Sequence, residues 1–260
     1  MFFINFMKTT DIFERFAISP CCHYSDDLET ALGNYSALGF RYFEVFSSWA
    51  HSAVDIEKPA EHYRRILQSY GMRASAFQLP PIEEEDDGAM LERAVRGAEF
   101  AVGLGAEIVL YRAASRELYI KNAKPFLDRI AHLPVTPVLQ NHHGTPISTL
   151  EDVAEVTEAI ADPRMRHLLE VGHFHSSGVS WRQGFDYLGV EHIAHVHIKD
   201  QIGKQSVPYG EGEVDLKGLF ACLESAGYKG KYVVEMEVRD PENTIMYLKK
   251  AIDYIREAMP

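Results

Sequence analysis

The sequence has 260 residues, of which 46% are hydrophobic, and its formal net charge is -12 at pH 7. A chain of this size and composition can bury one large core, so we expect a single domain over residues 1–260, with about residues 1–15 as an N-terminal extension. The acidic balance argues against nucleic acid as a partner, because phosphate binding needs a basic face. A small-molecule partner is the better expectation.

Short apolar runs alternate along the chain with segments of helical period. The predicted strands are FAIS (16–19), RYFEVF (41–46), RASAFQ (73–78), EIVLY (107–111), TPVLQ (136–140), HLLEV (167–171), HIAHVHI (192–198) and YVVEMEV (232–238). The predicted helices run from about Asp27 to Gly39 and over 62–70, 91–105, 119–130 and 151–160. Ser148 and Glu151 form a predicted capping box for the last of these helices.

This order predicts an α/β fold of eight βα units, a single (β/α)8 TIM barrel with its active site at the C-terminal ends of the strands. An open doubly wound sheet is the structural alternative. Two observations argue against it. The first strand is followed by CCHYSDD rather than by a Gly-rich phosphate loop, and eight units fill the length without remainder.

The N-terminal segment and the cysteines bear on localisation. The apolar start MFFINFMKTT lacks a basic region and is soon followed by Asp11 and Glu14, so neither a signal peptide nor a membrane span is predicted. Cys21, Cys22 and Cys222 do not make an even disulfide framework, and adjacent cysteines rarely bridge without strain. We therefore expect a reducing, cytoplasmic setting and no membrane partner.

Four predicted strands in the C-terminal half end with residues that can bind a metal. The donors are Gln140, Glu170, His197 and Glu235, and the gaps between them are about one strand-plus-helix unit, roughly 30 residues. A barrel gathers the C-terminal ends of its strands around one mouth. The spacing therefore predicts one metal site at that mouth.

From Val138 to Val238 the chain resembles the xylose-isomerase-like TIM-barrel superfamily, which holds sugar isomerases and epimerases, inosose dehydratases and a branch of DNA-repair endonucleases. Members of that superfamily carry Glu-Asn-His on strand five, Asp-x-x-His on strand six, His-x-His-x-Lys-Asp on strand seven and Glu on strand eight. The corresponding segments here are QNH (140–142), EVGH (170–173), HVHIKD (195–200) and Glu235.

The resemblance implies one divalent metal ion, which could be Mn, Mg, Co or Zn, held by Gln140, Glu170, His197 and Glu235. It also implies that His142 and His173 face the substrate. Two of the implied ligands depart from the pattern of the superfamily, because Gln140 replaces a Glu and Glu170 replaces an Asp. An amide oxygen can coordinate a hard cation, but an amide cannot act as a general base.

The glutamine at position 140 affects the reaction that the resemblance implies. Epimerisation next to a carbonyl uses one group to remove a proton and a second group to return it on the opposite face. Here Glu235 would act alone, unless His142, His173 or Glu237 supplies the second function. A single base favours aldose–ketose isomerisation or β-elimination, in which a metal polarises the carbonyl and stabilises the enolate.

The resemblance thus implies a metal-dependent isomerase or epimerase acting on a small sugar or sugar derivative, with Glu235 as the base and His142 and His173 as further catalytic candidates. The alternatives are a dehydratase of inososes or other keto-polyols on the same site, and a non-catalytic sugar binder with a decayed metal site. An abasic-site endonuclease needs further His ligands on strands three and four, where SAFQLPP and IVLYRAA contain none. Homo-oligomers are common in the superfamily, although no segment of this chain is identifiable as an interface.

Some polar side chains near the predicted site have both a functional and a structural interpretation. Asn141 could bind substrate or cap a turn, and Glu44 could contact a substrate hydroxyl or form an ion pair inside the barrel. Lys199 and Arg112 are candidates to bind a phosphate or carboxylate, or to form ion pairs at the surface. The phosphorylation state of the substrate therefore stays open.

The remaining candidates share a face with another candidate or are aromatic. His195 and Glu237 stand two residues from His197 and Glu235, so each pair shares a strand face. His195 could orient a metal ligand. Either glutamate could be the ligand on the last strand, and the motif favours Glu235, with Glu237 orienting it. Trp181 is a candidate for an apolar wall against the substrate, together with Trp49 and Phe77, although aromatic side chains in barrel loops more often pack structurally.

Overall fold

The strands of the protein close into a barrel. The structure is a computed structural model, and it describes residues 11–84, 86–238 and 240–260. Its strands in these ranges are β1 (Phe16–Ile18), β2 (Tyr42–Phe46), β3 (Arg73–Gln78), β4 (Ile108–Leu110), β5 (Thr136–Gln140), β6 (Arg166–Glu170), β7 (Ile193–Ile198), β8 (Asp200–Ile202), β9 (Gln205–Val207) and β10 (Tyr232–Val234). Eight strands pair in parallel in the closed order β1-β10-β7-β6-β5-β4-β3-β2, and β8 and β9 form an antiparallel hairpin. The predicted TIM barrel is confirmed.

Helices connect the barrel strands. They are α1 (Leu28–Ala37), α2 (Ala60–Ser69), α3 (Asp87–Leu104), α4 (Arg116–Ile130), α5 (Leu150–Ile160), α6 (Val171–Ser176), α7 (Trp181–Leu188), α8 (Leu216–Ser225) and α9 (Thr244–Ala258). Asp27, Ser115 and Ser180 cap α1, α4 and α7 by accepting hydrogen bonds from free backbone N–H groups of the first turn. Gly105 ends α3 in the left-handed conformation that favours glycine.

Three local predictions differ from the structure. The capping box of α5 is formed by Thr149 and Asp152 rather than by Ser148 and Glu151, because the sequence STLED fits two registers one residue apart. The last barrel strand ends at Val234, before Glu235. Helices α6 to α9 and the β8–β9 hairpin were not among the predicted elements.

The barrel interior is layered, and this layering positions the polar side chains. Small and branched residues fill one layer, namely Ala76, Leu110, Val138 and Leu168. Side chains alternate along a strand, so the residues two positions further on point into the same interior, closer to the C-terminal mouth. Those residues are Gln78, Arg112, Gln140 and Glu170. On β7, His195 pairs in register with Leu168 and His197 pairs with Glu170.

The described part of the predicted N-terminal extension packs against the barrel. Phe13 lies in a short 3-10 helix, Ile12–Glu14, and its ring makes an edge contact with Phe40 at 5.4 Å between centroids. Residues 1–10 lie outside the described ranges. None of the helices in the described ranges is both long enough and apolar enough to cross a membrane.

Candidate active site

A cavity of about 400 Å³ opens at the C-terminal mouth of the barrel. This volume falls in the range of small-molecule sites, roughly 300–1,000 Å³. Eight of the residues named as candidates from the sequence line it, namely Trp49, Arg112, Gln140, His142, His173, His197, Glu235 and Glu237. Residues from four consecutive barrel units therefore meet at one cavity, as the spacing predicted.

Three of the predicted metal ligands lie in direct contact. Nδ1 of His197 lies 2.9 Å from Oε2 of Glu170 and 3.3 Å from Oε1 of Glu235. Glu170, Glu235 and His173 also place one potential ligand atom each within 4.8 Å of one another. Two carboxylates and an imidazole are a donor set that suits a divalent cation. The residues present therefore fit the metal that the superfamily pattern implies.

The two ring nitrogens of His197 face different partners. Nδ1 points to the donor cluster, whereas Nε2 lies 2.8 Å from Oε2 of Glu44, although the pair lacks the alignment of a full hydrogen bond. Glu44 is completely buried, neither of its carboxylate oxygens has a hydrogen-bond partner among the described residues, and burial raises its pKa. Glu44 does not line the cavity, so its position is behind His197 rather than against a substrate.

Lys199 places an ammonium group beside the donor cluster. Its side chain is fully buried, and Nζ lies 3.1 Å from Oε2 of Glu235, 3.3 Å from Oε2 of Glu237 and 3.4 Å from Nε2 of His173. A Cβ atom at Gly172 would come within 2.7 Å of Cβ of Lys199. The absence of a side chain at position 172 thus gives the Lys199 stem its path to Glu235.

The charged groups of the cluster shift one another's pKa values. Burial disfavours the charged form of Glu235, but the Lys199 ammonium and the His197 imidazole outweigh burial and hold its pKa well below the ordinary value. The pKa of Glu170 shifts in the opposite direction. Burial and the charge of Glu235 raise its pKa to about 6. Glu235 is therefore the carboxylate that stays ionised at neutral pH and can accept a proton.

His142 and His173 form a pair on the cavity wall. Their ring centroids lie 3.6 Å apart with an interplanar angle of 31°. Burial lowers the pKa of His142 to about 4, and it lowers the pKa of His173 as well, with a further contribution from Lys199. Both imidazoles are neutral near pH 7, so each can donate one hydrogen bond and accept another.

Three further predicted residues do not line the cavity. Asn141 is buried, and its side chain joins β5 to β6 by donating to the carbonyl of Glu170 at 2.8 Å and accepting from its N–H at 3.0 Å. His195 is buried in the layer beneath, with its ring centroid 5.6 Å from that of His197. Trp181 is buried at the start of α7, where the Arg182 guanidinium covers its ring.

The cavity also has walls that were not predicted as site residues. Cys21, Gln78, Tyr119 and Thr145 contribute to the lining. The two-residue alternation along β3 could have identified Gln78, since Gln78 is the last residue of that strand. The other three stand in connecting segments or on helices, whose side chains no strand periodicity places.

Trp49 stands at the edge of this cavity. It is 62% exposed, and its backbone is in the left-handed region with φ at 76°, which is unusual for a residue with a side chain. Its ring lies 6.1 Å from Phe46 and 6.2 Å from Tyr24. Trp49 thus presents a large apolar surface at the mouth of the cavity.

Comparison with known proteins agrees with the barrel fold. The family described as xylose isomerase-like TIM barrel matches residues 32–258. An inosose dehydratase of Geobacillus thermodenitrificans is 32% identical over 248 residues, which cover 85% of this chain and 78% of that protein. An L-ribulose-5-phosphate 3-epimerase of Salmonella paratyphi C is 24% identical over 72% of this chain and 71% of that protein.

Among solved structures, the IolI protein with a bound zinc atom superposes with a TM-score of 0.76. The two sequences are 14% identical, and the match covers 94% of this chain and 97% of that one. At this identity the likeness shows the fold alone.

Proposed function

The chain belongs to the xylose isomerase-like TIM barrel family, and we propose that it is a metal-dependent enzyme that removes a proton from the carbon next to the carbonyl group of a small sugar or keto-polyol. The observation that carries this proposal is the position of Glu235. Its carboxylate lines the cavity, contacts both His197 and Lys199, and has a depressed pKa. A carboxylate at the cavity that is ionised at neutral pH is in the form that accepts a proton from carbon.

The charges of the cluster support a metal at this site. Three buried carboxylates, those of Glu44, Glu170 and Glu235, and the more exposed carboxylate of Glu237 stand against the Lys199 ammonium and the His197 imidazole. Such a surplus of negative charge in a buried region is costly unless a cation offsets it. We assign Glu170, His197 and Glu235 as ligands, with Gln140 of the same cavity as the fourth. A divalent metal bound there would polarise the substrate carbonyl.

Glu44 and His195 act on this site through His197. A carboxylate behind a metal-binding imidazole fixes the orientation of the ring and the position of its proton. Glu44 faces Nε2, so Nδ1 is left for the donor cluster. His195 packs against the same ring from the layer beneath. We therefore propose that Glu44 positions His197 and does not contact the substrate, which is the role that the sequence had suggested for it.

Two reactions can follow the removal of the proton, dehydration and aldose–ketose isomerisation, and one observation favours each. Dehydration is favoured by the 32% identity with an inosose dehydratase. The hydroxyl would leave as water after taking the Nδ1 proton of neutral His173, and Lys199, whose Nζ lies 3.4 Å from Nε2 of His173, would replace that proton. Aldose–ketose isomerisation is favoured by the single base, because the same carboxylate can return the proton on the same face. In both reactions His142 and His173 would hydrogen-bond the substrate hydroxyls.

Metal content and product analysis test the proposal. Elemental analysis with titration calorimetry should find near-stoichiometric divalent metal in the wild type and none in His197→Ala. The metal-loaded protein is then incubated with keto-sugars and with inososes. Dehydration produces an absorbing enone or diketone with loss of water, whereas isomerisation conserves mass. Wild-type protein that neither contains nor binds metal would contradict the proposal and favour the sugar-binder alternative.

The base is tested separately. Glu235→Gln should abolish turnover and leave the circular dichroism spectrum unchanged, whereas Glu237→Gln should retain turnover, because its carboxylate is 38% exposed and contacts Lys199 rather than His197. Loss of turnover in Glu237→Gln alone would transfer the role of base to that residue.

The three cysteines are free, which fits the cytoplasmic setting that we keep as part of the proposal.

A further inference from the structure

Arg112 stands at the cavity without an acidic partner among the residues that the structure describes. It follows β4, is half-buried and lines the cavity. Its Nη1 donates to Oε1 of Gln78 at 3.0 Å, and no carboxylate in the described ranges lies within ion-pair distance of its guanidinium. Glu83, an exposed residue of the same lining, makes no ion pair with it. A guanidinium has five N–H donors, so most of its hydrogen-bonding capacity is free to face the cavity.

The other candidate anion contact, Lys199, differs in this respect. Its ammonium is fully buried and bonded to Glu235 and Glu237, whereas the Arg112 guanidinium, within the described part of the chain, is bonded only to a neutral amide. Arg116, four residues further on, is paired with Asp152 and Glu155 at 2.7 Å in each case. In this acidic protein an arginine beside a cavity that lacks such a pair is a specific feature of the site.

The surroundings of Arg112 hold it in place. Its carbonyl accepts from the N–H of Ile82 at 3.0 Å, and the N–H of Ala114 donates to the carbonyl of Ile82 at 2.9 Å, so the backbone on both sides is fixed to the β3–α3 segment. Gln78, which orients the guanidinium, is 9% exposed. Arg112, His142 and His173 line the same cavity. Arg112 therefore faces the same space as the histidine pair.

We propose that Arg112, oriented by Gln78, binds an anionic group of the substrate, a carboxylate or a phosphate, at the β3–β4 side of the mouth. The planar fork of a guanidinium matches two oxygens of either group, and the interaction is charge-assisted. The assigned metal ligands lie at the ends of β5, β6 and β7 and after β10, so the anionic group of the substrate would bind next to the metal site, on its β3–β4 side. The inference rests on the proposed function, since it names the class of substrate of that site.

The experiment compares charged and neutral probes of similar size. Titration calorimetry is run on the purified protein with D-ribose 5-phosphate against D-ribose, and with D-gluconate against D-glucitol. For at least one pair, the charged probe should bind about ten-fold to a hundred-fold more tightly to the wild type. Arg112→Met should reduce that ratio to near one, and Arg112→Lys should give an intermediate value, because it keeps the charge but not the fork. Arg116→Met is the matched control and should keep the wild-type ratio.

The outcomes separate this inference from the proposed function. A larger ratio for the phosphate pair assigns a phosphorylated substrate, and a larger ratio for gluconate assigns a carboxylate. A wild-type ratio near one for both pairs, or an unchanged ratio in Arg112→Met, overturns the inference even if the protein binds metal and converts neutral keto-sugars. A ratio that depends on Arg112 in a protein without metal or turnover would keep the anion site and reject the proposed function.

Discussion

Replacing Lys199 by methionine should destabilise the protein strongly, because the substitution removes the cation from a buried pair and keeps the apolar stem. The side chains of Lys199 and Glu235 are 0% and 6% exposed, and their charged atoms lie 3.1 Å apart. At an effective dielectric constant of about 20, two charges at that distance attract by about 5 kcal/mol. Part of this attraction is offset, since Lys199 no longer has to be desolvated. The expected net loss is about 3–5 kcal/mol in the free energy of unfolding.

Urea unfolding monitored by circular dichroism measures this loss, and Lys250→Met is the control. Lys250 is 55% exposed and its ammonium lies 3.7 Å from Glu211, so its removal should change the free energy of unfolding by less than about 1 kcal/mol. Added Mn²⁺ should stabilise Lys199→Met more than it stabilises the wild type, because the ammonium no longer repels the ion. A free energy of unfolding for Lys199→Met within about 1 kcal/mol of the wild type would refute the reasoning.

Three other predictions follow from the same cluster. Gly172→Ala should lower the free energy of unfolding, measured in urea titrations, by about 1–3 kcal/mol, because the new methyl group overlaps the Lys199 stem. Gly33→Ala is the control and should be neutral or stabilising, since its nearest contact is at 3.6 Å. Equal stability of the two variants would contradict the overlap. Gln140→Glu should tighten Mn²⁺ binding on the order of ten-fold by calorimetry, and unchanged affinity would argue that position 140 is not a ligand. Protonation of Glu170 alone should lower the Mn²⁺ affinity about four-fold between pH 7.5 and pH 5.5. A carboxyl with a pKa of about 6 is largely protonated at the lower pH and must lose its proton to bind the metal. An affinity that does not change with pH would remove Glu170 from the ligand set.

The sequence predicted the barrel and the meeting of distant donors, because both depend on periodic signals. Alternating strands and helices set the fold, and the C-terminal ends of parallel strands must gather at one mouth. Glu170, His197 and Glu235 meet for that reason, although many residues separate them in the chain. The family resemblance added the identity of the motif, and the family match over residues 32–258 confirms the resemblance.

Side-chain partners could not be predicted in the same way. Whether Lys199 faces solvent, substrate or a carboxylate depends on packing around its stem, which the glycine at position 172 decides. Glu44 lies on a strand near the mouth, but a register shift between β2 and β3 beside it sets which layer its carboxylate enters. Trp181 looked suitable for a substrate wall by type alone. Its place at the start of α7 turns the ring into the core.

The fluorescence of Trp49, at the mouth of the cavity, can report on ligand binding. The chain contains two tryptophans, and their environments differ: Trp49 is 62% exposed beside the cavity, whereas Trp181 is 7% exposed. A ligand that enters the cavity should shield Trp49 from an aqueous quencher such as iodide and leave Trp181 unaffected. Intrinsic fluorescence can therefore follow occupancy of the site in real time, with the buried indole as an internal reference and with no need for a label or a chromogenic substrate.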